Sequence, residues 1–414
     1  MTTLNQDQVQ TIKATVPVLQ EHVVTVTSRF YENMLSDYPD LNNVFNQSNQ
    51  ANQHQAKALA GSLYAYATNI DDLGKVSPAL EHISHKHASL YIRPDQYDIV
   101  GRYLLMAMGE VLGEAFTPAI KDAWAAAYWE VANLLIGIEK DLLAEADGWT
   151  DWRDFRIVNK VQESTEVTSF YLSPVDGKSL PAFKPGQYIS VQTNVPALKY
   201  MQARQYSLSD APNPRYYRIS VKKEPQIKGS AGEEYHPAYI SNLLHESRNI
   251  GDVLQVSHPY GEFYLDLKEH ADAPIVLVSA GVGLTPMVSM VNTLVQDSQS
   301  SDRTISWIHA ARSSEAQAFG KHMLQTVKDH DNISSVVFNK KPSAQSVQGV
   351  DYDFQSRMDL DVVDKKYLHL DKPAVYYICG PSSFMTDMAG KLKGYGVDQD
   401  RIKLEIFGTG MLSA

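Results

Sequence analysis

Residues 274–286 read PIVLVSAGVGLTP, an apolar run followed by a glycine loop and a proline. The apolar run predicts a buried strand, and Pro286 suits the first residue of a helix because its missing N–H costs nothing there. The free N–H groups of such a helix start can hold a pyrophosphate, which Gly281 and Gly283 would let approach closely. A lone G-x-G is weak, and an ordinary strand-to-helix turn is the alternative, but the order of the elements favours a nucleotide site.

The region around this motif alternates strand and helix patterns, which predicts a doubly wound parallel sheet. The predicted strands are Ile275–Ser279, Ile305–His309, Val375–Ile378 and Ile402–Phe407. The segment Cys379-Gly380-Pro381 ends one strand and precedes a helix, so it should lie at the same sheet edge as the glycine loop. Cys379 is either an inert buried thiol or a nicotinamide contact, and neither interpretation is favoured.

The residue type at the end of the second strand often separates NADH from NADPH sites. That strand runs into His309–Ser313 and carries no acidic residue for a ribose hydroxyl. Arg312 could bind a 2′-phosphate or could be an exposed surface residue, so the preferred nucleotide stays open.

Upstream of this region, short alternating runs separated by Gly and Pro predict an antiparallel barrel. In Arg204-Gln205-Tyr206-Ser207, strand alternation places Arg204 and Tyr206 on one face. A guanidinium beside an aromatic ring suits a flavin, with Arg for phosphate and Ser for a ring nitrogen or carbonyl. An ordinary surface strand of a barrel is the alternative.

Residues 4–146 have helical spacing, with few Gly and apolar residues three and four apart. One predicted helix carries His82, His85 and His87, and only His87 lies on its apolar face, with His85 nearly opposite. The apolar residues of that face are Leu80, Ile83 and Leu90. A metal ligand and a hydrogen-bonded core histidine are equally good interpretations of His87.

Four residues could form a facing wall, since Gln55 and Leu59 are one helical turn apart and Tyr31 and Phe45 lie on earlier segments. Tyr31 and Gln55 are costly to bury without a partner, and a bound small ligand would supply one. Taken singly, Phe45 and Leu59 are better explained by core packing.

Length, charge and cysteine content limit the classes of function that the chain can have. Its 414 residues suggest two to four domains, and a net charge of -11 argues against nucleic acid as a partner. The single cysteine cannot form an internal disulfide, and the polar N-terminus shows no secretory signal. No apolar run reaches the roughly 18 residues of a membrane helix, so we expect a cytoplasmic protein without membrane insertion.

The motifs PGQY, RQYS, SAGVGLTPM and YYICGP together resemble the ferredoxin–NADP reductase family over about residues 152–414. The resemblance implies an FAD site and a pyridine nucleotide site. The implied FAD contacts are Tyr188, Arg204, Gln205, Tyr206, Ser207 and Ser241, with the terminal segment Glu405, Phe407 and Gly408 covering the flavin. The implied nucleotide contacts are Gly281, Val282, Gly283, Leu284, Thr285, Pro286, Cys379, Gly380 and Pro381.

The N-terminal region resembles the globin of the flavohaemoglobins. The segments that carry the resemblance are Arg29–Tyr31, Val44–Gln50, His85–Ser89, Pro94–Tyr97 and Asp122–Tyr128. It implies that His87 binds haem iron, that Tyr31 and Gln55 hydrogen-bond the distal ligand, and that Phe45 and Leu59 shape the pocket. It also implies that Tyr97 and Glu139 stand behind His87 and that Lys86 and Glu405 lie where globin and reductase meet. From its charged neighbours alone, Glu139 is better interpreted as an exposed helix residue.

The two resemblances imply a globin haem domain at 1–147, an FAD barrel at 151–268 and an NAD(P) domain at 272–414. They imply haem b, FAD and NAD(P)H as cofactors and a nitric oxide dioxygenase that converts nitric oxide and O2 to nitrate. We expect a monomer without an obligate protein partner. An oxygen-binding or sensing globin, whose reductase keeps haem ferrous, is the first alternative. An enzyme that reduces flavin or peroxide without haem is the second.

Overall fold

A computed structural model describes residues 4–46, 50, 53–224, 238–269, 272–300 and 302–408. Its N-terminal part consists of helices. These are α1 (Gln6–Asp37), α2 (His54–Thr68), α3 (Ser77–Ser89), α4 (Pro94–Leu112) and α5 (Pro118–Glu145). A capping box starts α1, because Asn5 and Gln8 exchange side-chain to backbone hydrogen bonds. Part of the segment 44–50 that supports the globin resemblance, residues 47–49, lies outside the described residues.

The helical core lies between α1, α2, α4 and α5, where large side chains such as Phe30, Met34 and Met108 are fully buried. Helix α3 packs against α5 through the apolar face predicted from the sequence. Leu80 and Ile83 contact the cluster that contains Ala132 and Leu135. This packing aims His87, near the end of α3, toward the interior of the helical part.

The middle region is a six-stranded antiparallel sheet in the order β4-β3-β6-β1-β2-β5. The strands are β1 (Arg153–Gln162), β2 (Val167–Pro174), β3 (Tyr188–Val195), β4 (Tyr200–Ser207), β5 (Tyr217–Lys222) and β6 (Val253–Val256). A bridge between Leu208 and Ile219 draws the two edges together. Helix α6 (Tyr239–Glu246) buries Ile240 and Leu244 in the barrel core. The predicted barrel is therefore confirmed.

The C-terminal region is a five-stranded parallel sheet in the order β11-β10-β7-β8-β9, with helices between the strands. The strands are β7 (Ile275–Ala280), β8 (Ile305–Ala311), β9 (Ile333–Asn339), β10 (Val375–Cys379) and β11 (Ile402–Glu405). The helices are α7 (Leu284–Gln296), α8 (Gly320–Asp329), α9 (Lys365–Leu368) and α10 (Ser382–Gly394). The doubly wound architecture is confirmed.

Three details of this sheet differ from the prediction. Strand β9 was not expected, because it lies at the sheet edge and its Ser334 and Ser335 interrupt the apolar run. Strand β11 ends at Glu405 and not at Phe407. Helix α7 begins at Leu284, so Pro286 is its third residue and not its first. Pro286 still lies in the first turn, where an N–H would have no acceptor within the helix.

Within the described part of the chain, no helix has both the length and the apolar character that crossing a bilayer requires.

Candidate functional site

The side chains predicted to surround His87 come together in the structure. The Nδ1 atom of His87 lies 2.9 Å from Glu139 Oε1 and 2.9 Å from the Tyr97 hydroxyl. Tyr97 donates to the same Glu139 oxygen at 2.5 Å. Because a carboxylate only accepts hydrogen bonds, Nδ1 carries the ring proton and Nε2 keeps a lone pair. His87 is therefore suited to bind a metal through Nε2.

Glu139 is buried, with 4 % of its surface exposed. Its charged neighbours wrongly predicted an exposed position, because α5 turns this one residue of the charged stretch toward α3. Burial, together with the charge of Glu139 and the hydrogen bond to it, raises the pKa of Tyr97 far above its usual value. Tyr97 therefore keeps its proton and stays a donor to the carboxylate, which anchors the acceptor behind His87.

The four residues predicted for the distal wall are also close together. Tyr31 and Phe45 meet edge to face at 5.5 Å, and Leu59 packs against the same core. Gln55 hydrogen-bonds Tyr31, and burial raises the pKa of Tyr31 well above its usual value. The Gln55 Oε1 atom is buried and has no hydrogen-bond partner among the described residues. This wall thus retains hydrogen-bonding capacity for a small polar ligand.

The predicted flavin residues cluster on two adjacent strands. Tyr188 on β3 pairs in register with Ser207 on β4, and the buried Ser207 Oγ has no partner in the described structure. An orphaned hydroxyl of this kind fits a site that a ring nitrogen or carbonyl would complete. Ser241 lies in the first turn of α6, where its hydroxyl donates to Ala238 O at 3.2 Å.

Two half-buried cations, Lys86 from the globin side and Arg204 from β4, lie near each other. Burial, with a smaller effect of Arg204, lowers the pKa of Lys86 to about 8. Burial likewise lowers the pKa of Arg204 to about 10. Arg204 donates to Asn46 Oδ1 at 2.6 Å and to Ala203 O at 2.7 Å, but among the described residues no carboxylate pairs with either cation. Two half-buried cations without a carboxylate partner fit an anionic group such as a flavin pyrophosphate.

The glycine loop and the Cys379–Pro381 segment meet at the carboxyl edge of the parallel sheet. A Cβ atom on Gly283 would lie 2.4 Å from Cys379 O and 2.8 Å from Gly380 N, so only glycine permits this contact. Gly281 has a φ of +55° and faces open space. Packing of the loop therefore requires glycine at position 283, and the close approach of Gly283 to a pyrophosphate stays a prediction. Val282 is half-buried, and Leu284, Thr285 and Pro286 are buried in the first turn of α7.

Cys379 pairs in register with Glu405 on β11 and with Ser279 on β7, and all three are buried. Burial raises the pKa of the Glu405 carboxyl well above its usual range, and the charge of Glu262 raises it further. Burial also raises the pKa of the Cys379 thiol. The terminal residues Phe407 and Gly408 are exposed, as is Pro381. A buried acid and a buried thiol thus meet where the nucleotide is predicted to bind.

Replacing Glu405 by Gln should stabilise the protein increasingly as the pH rises. The buried carboxyl keeps its proton above the pH at which an unfolded Glu loses it. Unfolding then releases a proton, and stability falls with rising pH. Between about pH 5 and pH 8, the melting temperature of Glu405→Gln should rise relative to that of the wild type. The exposed control Glu114→Gln should show no such divergence; parallel curves for Glu405→Gln would contradict the argument.

The helix side opposite His87 carries contacts that the sequence did not indicate. His85 is buried, and its Nδ1 accepts a hydrogen bond from Gly261 N at 3.1 Å. His82 Nδ1 lies 2.5 Å from Glu262 Oε1. Gly261 and Glu262 both follow β6, so the reductase part of the chain covers the face of α3 that the sequence predicted to be polar. The only feature of the sequence that could have indicated a second buried face on α3 is the presence of His82, His85 and His87 on different sides of this helix.

Arg312 is exposed, which agrees with the second of the two interpretations raised by its position. It forms an ion pair with Glu166, in the turn between β1 and β2. The same turn is held to the nucleotide-binding region by Thr165, whose N and Oγ1 both donate to Glu315 O at 2.9 Å. The strand β8 itself carries no acidic residue at its end, but Glu166 of the barrel provides one there.

Fold and site together define a globin followed in the same chain by a nucleotide-binding oxidoreductase. The globin family model matches residues 28–135, and the oxidoreductase NAD-binding domain model matches residues 277–390. The chain is 43% identical to the flavohemoprotein of Rhizobium meliloti, over 98% of both chains. It is 46% identical to that of Chromobacterium violaceum, over 96% of both. The chain belongs to the flavohemoprotein family.

Comparison with solved structures also relates the chain to flavohemoglobins. The flavohemoglobin from Malassezia yamatoensis, determined with bound FAD and heme, is 31% identical and superposes with a TM-score of 0.82, covering 98% of this chain and all of that one (100%). The FAD/NAD-binding domain of the nitric oxide dioxygenase from Vibrio cholerae is 34% identical with a TM-score of 0.54. That match covers 62% of this chain and 99% of the other.

Proposed function

We propose that the protein is a nitric oxide dioxygenase that converts nitric oxide and O2 to nitrate with electrons from NAD(P)H. The observation that carries the proposal is the buried Glu139 carboxylate bonded to His87 Nδ1. A carboxylate there makes the imidazole a stronger donor to iron, which favours O–O activation over reversible carriage. The name of the Vibrio cholerae relative supports the same reaction.

The three predicted units have separate tasks in this proposal. Residues 1–147 hold haem at His87, residues 151–268 hold FAD along β3 and β4, and residues 272–414 hold the nucleotide at the α7 loop. When bound, haem supplies one-electron chemistry with O2, and FAD converts a hydride into single electrons. The orphaned Ser207 hydroxyl and the half-buried cations Lys86 and Arg204 support the proposed flavin site.

The chain's own groups orient and stabilise the reactants. Tyr31 keeps its proton, so it can donate a hydrogen bond to a distal ligand, and Gln55 holds its hydroxyl in place. Tyr97 and Glu139 hold the proton of His87 at Nδ1, which fixes the orientation of the ring. Phe45 and Leu59 make the surrounding wall apolar, and this strengthens each of these hydrogen bonds.

The test is NADH consumption under air, measured with and without nitric oxide, together with nitrate formation. We expect nitric oxide to stimulate turnover, with one nitrate formed per nitric oxide consumed. Unstimulated turnover with a stable oxygen complex would instead support the oxygen-binding globin. Full activity in a haem-free preparation would support flavin or peroxide reduction, and either result would overturn the proposal.

The Arg312–Glu166 pair leads us to expect a preference for NADH. A 2′-phosphate at the end of β8 would meet the Glu166 carboxylate and would compete with it for Arg312. Glu166→Gln should therefore raise kcat/KM for NADPH by about fivefold, the size expected for a largely exposed ion pair, and leave NADH unchanged. Ferricyanide reduction with each nucleotide measures this. Glu163→Gln is the matched control, since Glu163 lies in the same turn and bonds Ser169; an unchanged NADPH value in Glu166→Gln would refute the expectation.

A further inference from the structure

A line of buried hydrogen bonds joins the flavin strands to the helix that carries His87. Gln205 Nε2 on β4 donates to Ser190 Oγ on β3 at 3.0 Å. Ser190 Oγ donates to Ser89 Oγ on α3 at 2.8 Å. Ser89 Oγ in turn donates to the backbone oxygen of Lys86 at 2.8 Å. We call these groups of Gln205, Ser190, Ser89 and Lys86 the serine bridge.

The serine bridge is fully buried at its centre, since Ser89 and Ser190 are both 0 % exposed. Each hydroxyl donates once and accepts at least once, so the direction of the bonds is consistent from Gln205 to Lys86. The backbone of Ser190 is fixed as well, because its N–H donates to Ser257 Oγ at 2.9 Å. A hydroxyl buried between two domains costs free energy unless such bonds form, so the bridge favours one arrangement of the two parts.

Both ends of the serine bridge lie beside functional residues. Gln205 stands between Arg204 and Tyr206 in the flavin motif, and Lys86 directly precedes His87. Ala88, next to Ser89 on α3, packs in one buried cluster with Tyr188, the aromatic residue predicted to lie near the flavin. Any shift of α3 against β3 would therefore move the iron ligand relative to the flavin contacts.

We propose that Ser89 and Ser190 are positioning residues that hold the His87 helix at the distance and orientation needed for electron transfer from flavin to haem. This inference rests on the proposed function, because it assumes that electrons pass between the two cofactors. The bridging hydroxyls themselves take no part in the chemistry and act through His87 and Gln205.

The test compares Ser190→Thr with Ser190→Val in the protein isolated with its cofactors. The two side chains have nearly the same shape, and only Thr keeps the hydroxyl. Anaerobic stopped-flow mixing with NADH separates flavin reduction from haem reduction. We expect equal flavin reduction in both variants and haem reduction about fivefold slower in Ser190→Val, the change that loss of one buried hydrogen bond produces in a docking equilibrium.

Hydrogen exchange gives a second readout that does not depend on activity. Backbone amides of residues 84–91 and 188–192 should exchange about fivefold faster in Ser190→Val than in Ser190→Thr. Ser220→Thr and Ser220→Val are the matched control pair, because the Ser220 hydroxyl is buried in the barrel and bonds Ser169 and Ser209 at 2.7 Å each, away from α3. The control pair should not differ in haem reduction.

Equal haem reduction and equal exchange in the two Ser190 variants would overturn the inference, as would the same difference in the Ser220 pair. Should a Ser190 variant not fold, Ser89→Ala removes the same link from the globin side and is judged by the same two readouts. A wild-type protein whose flavin is reduced but whose haem never is would overturn the proposed function. The exchange comparison would then still decide whether the serine bridge fixes α3.

Discussion

Glu139→Gln is expected to lower nitric-oxide-dependent NADH consumption by about 10- to 100-fold while haem stays bound. The amide fills nearly the same volume but carries no charge, so it is a weaker acceptor for the proton on His87 Nδ1. The imidazole then gives less electron density to iron, which weakens O–O activation. Steady-state turnover and the frequency of the iron–histidine stretching band measure the two consequences, and both should fall.

Glu130→Gln is the control for this experiment. Glu130 lies on the same helix and accepts a hydrogen bond from Tyr66 at 2.9 Å, but it does not touch His87. Tyr97→Phe should have a smaller effect than Glu139→Gln, since it removes the two hydrogen bonds of the Tyr97 hydroxyl but leaves the carboxylate on the imidazole. If Glu139→Gln turned over at the wild-type rate, the carboxylate would be a packing element only.

The fold could be predicted from sequence because each region has a distinct period. Helical spacing, strand alternation and alternating strand–helix units gave the three architectures in the correct order. Strand β9 was missed because its serines break the apolar run, and an edge strand tolerates them. Strand β11 ends at Glu405, two residues before its predicted end, and helix α7 begins at Leu284, two residues before its predicted start.

The site was predictable where one element decides a side chain's surroundings. The apolar face of a single helix distinguishes His87 from His82 and His85, although only the family resemblance assigns it an iron. His85, Glu262 and Glu166 did not follow from any pattern, because their partners come from another part of the chain. Periodicity reports which face of an element is apolar, but it does not report which polar face a second domain will cover. Glu139 shows the same limit, since only the family resemblance placed it behind His87.

Arg204→Met is expected to abolish FAD retention without destabilising the apoprotein. Two charge-assisted hydrogen bonds to a phosphate contribute roughly 3–6 kcal/mol, so FAD affinity should fall by at least about 100-fold. Without FAD, however, Arg204 is a half-buried cation beside Lys86 with no carboxylate partner among the described residues. An apolar side chain of similar length removes that repulsion, which offsets the loss of the Arg204 hydrogen bonds to Asn46 and Ala203. Flavin content after gel filtration and unfolding of the apoprotein in urea measure the two effects.

Arg218→Met separates this explanation from a general effect of losing a buried arginine. Arg218 lies in the same barrel at 9 % exposure, but it pairs with Asp210 at 3.5 Å. Breaking a buried pair leaves an uncompensated carboxylate, so this variant should lose roughly 3 kcal/mol of stability with or without FAD. The different stabilities expected for the two apoproteins follow from one difference, the presence of a counter-charge. If Arg204→Met destabilised the apoprotein as much as Arg218→Met, Arg204 would be a structural cation and the assignment of the phosphate site would be wrong.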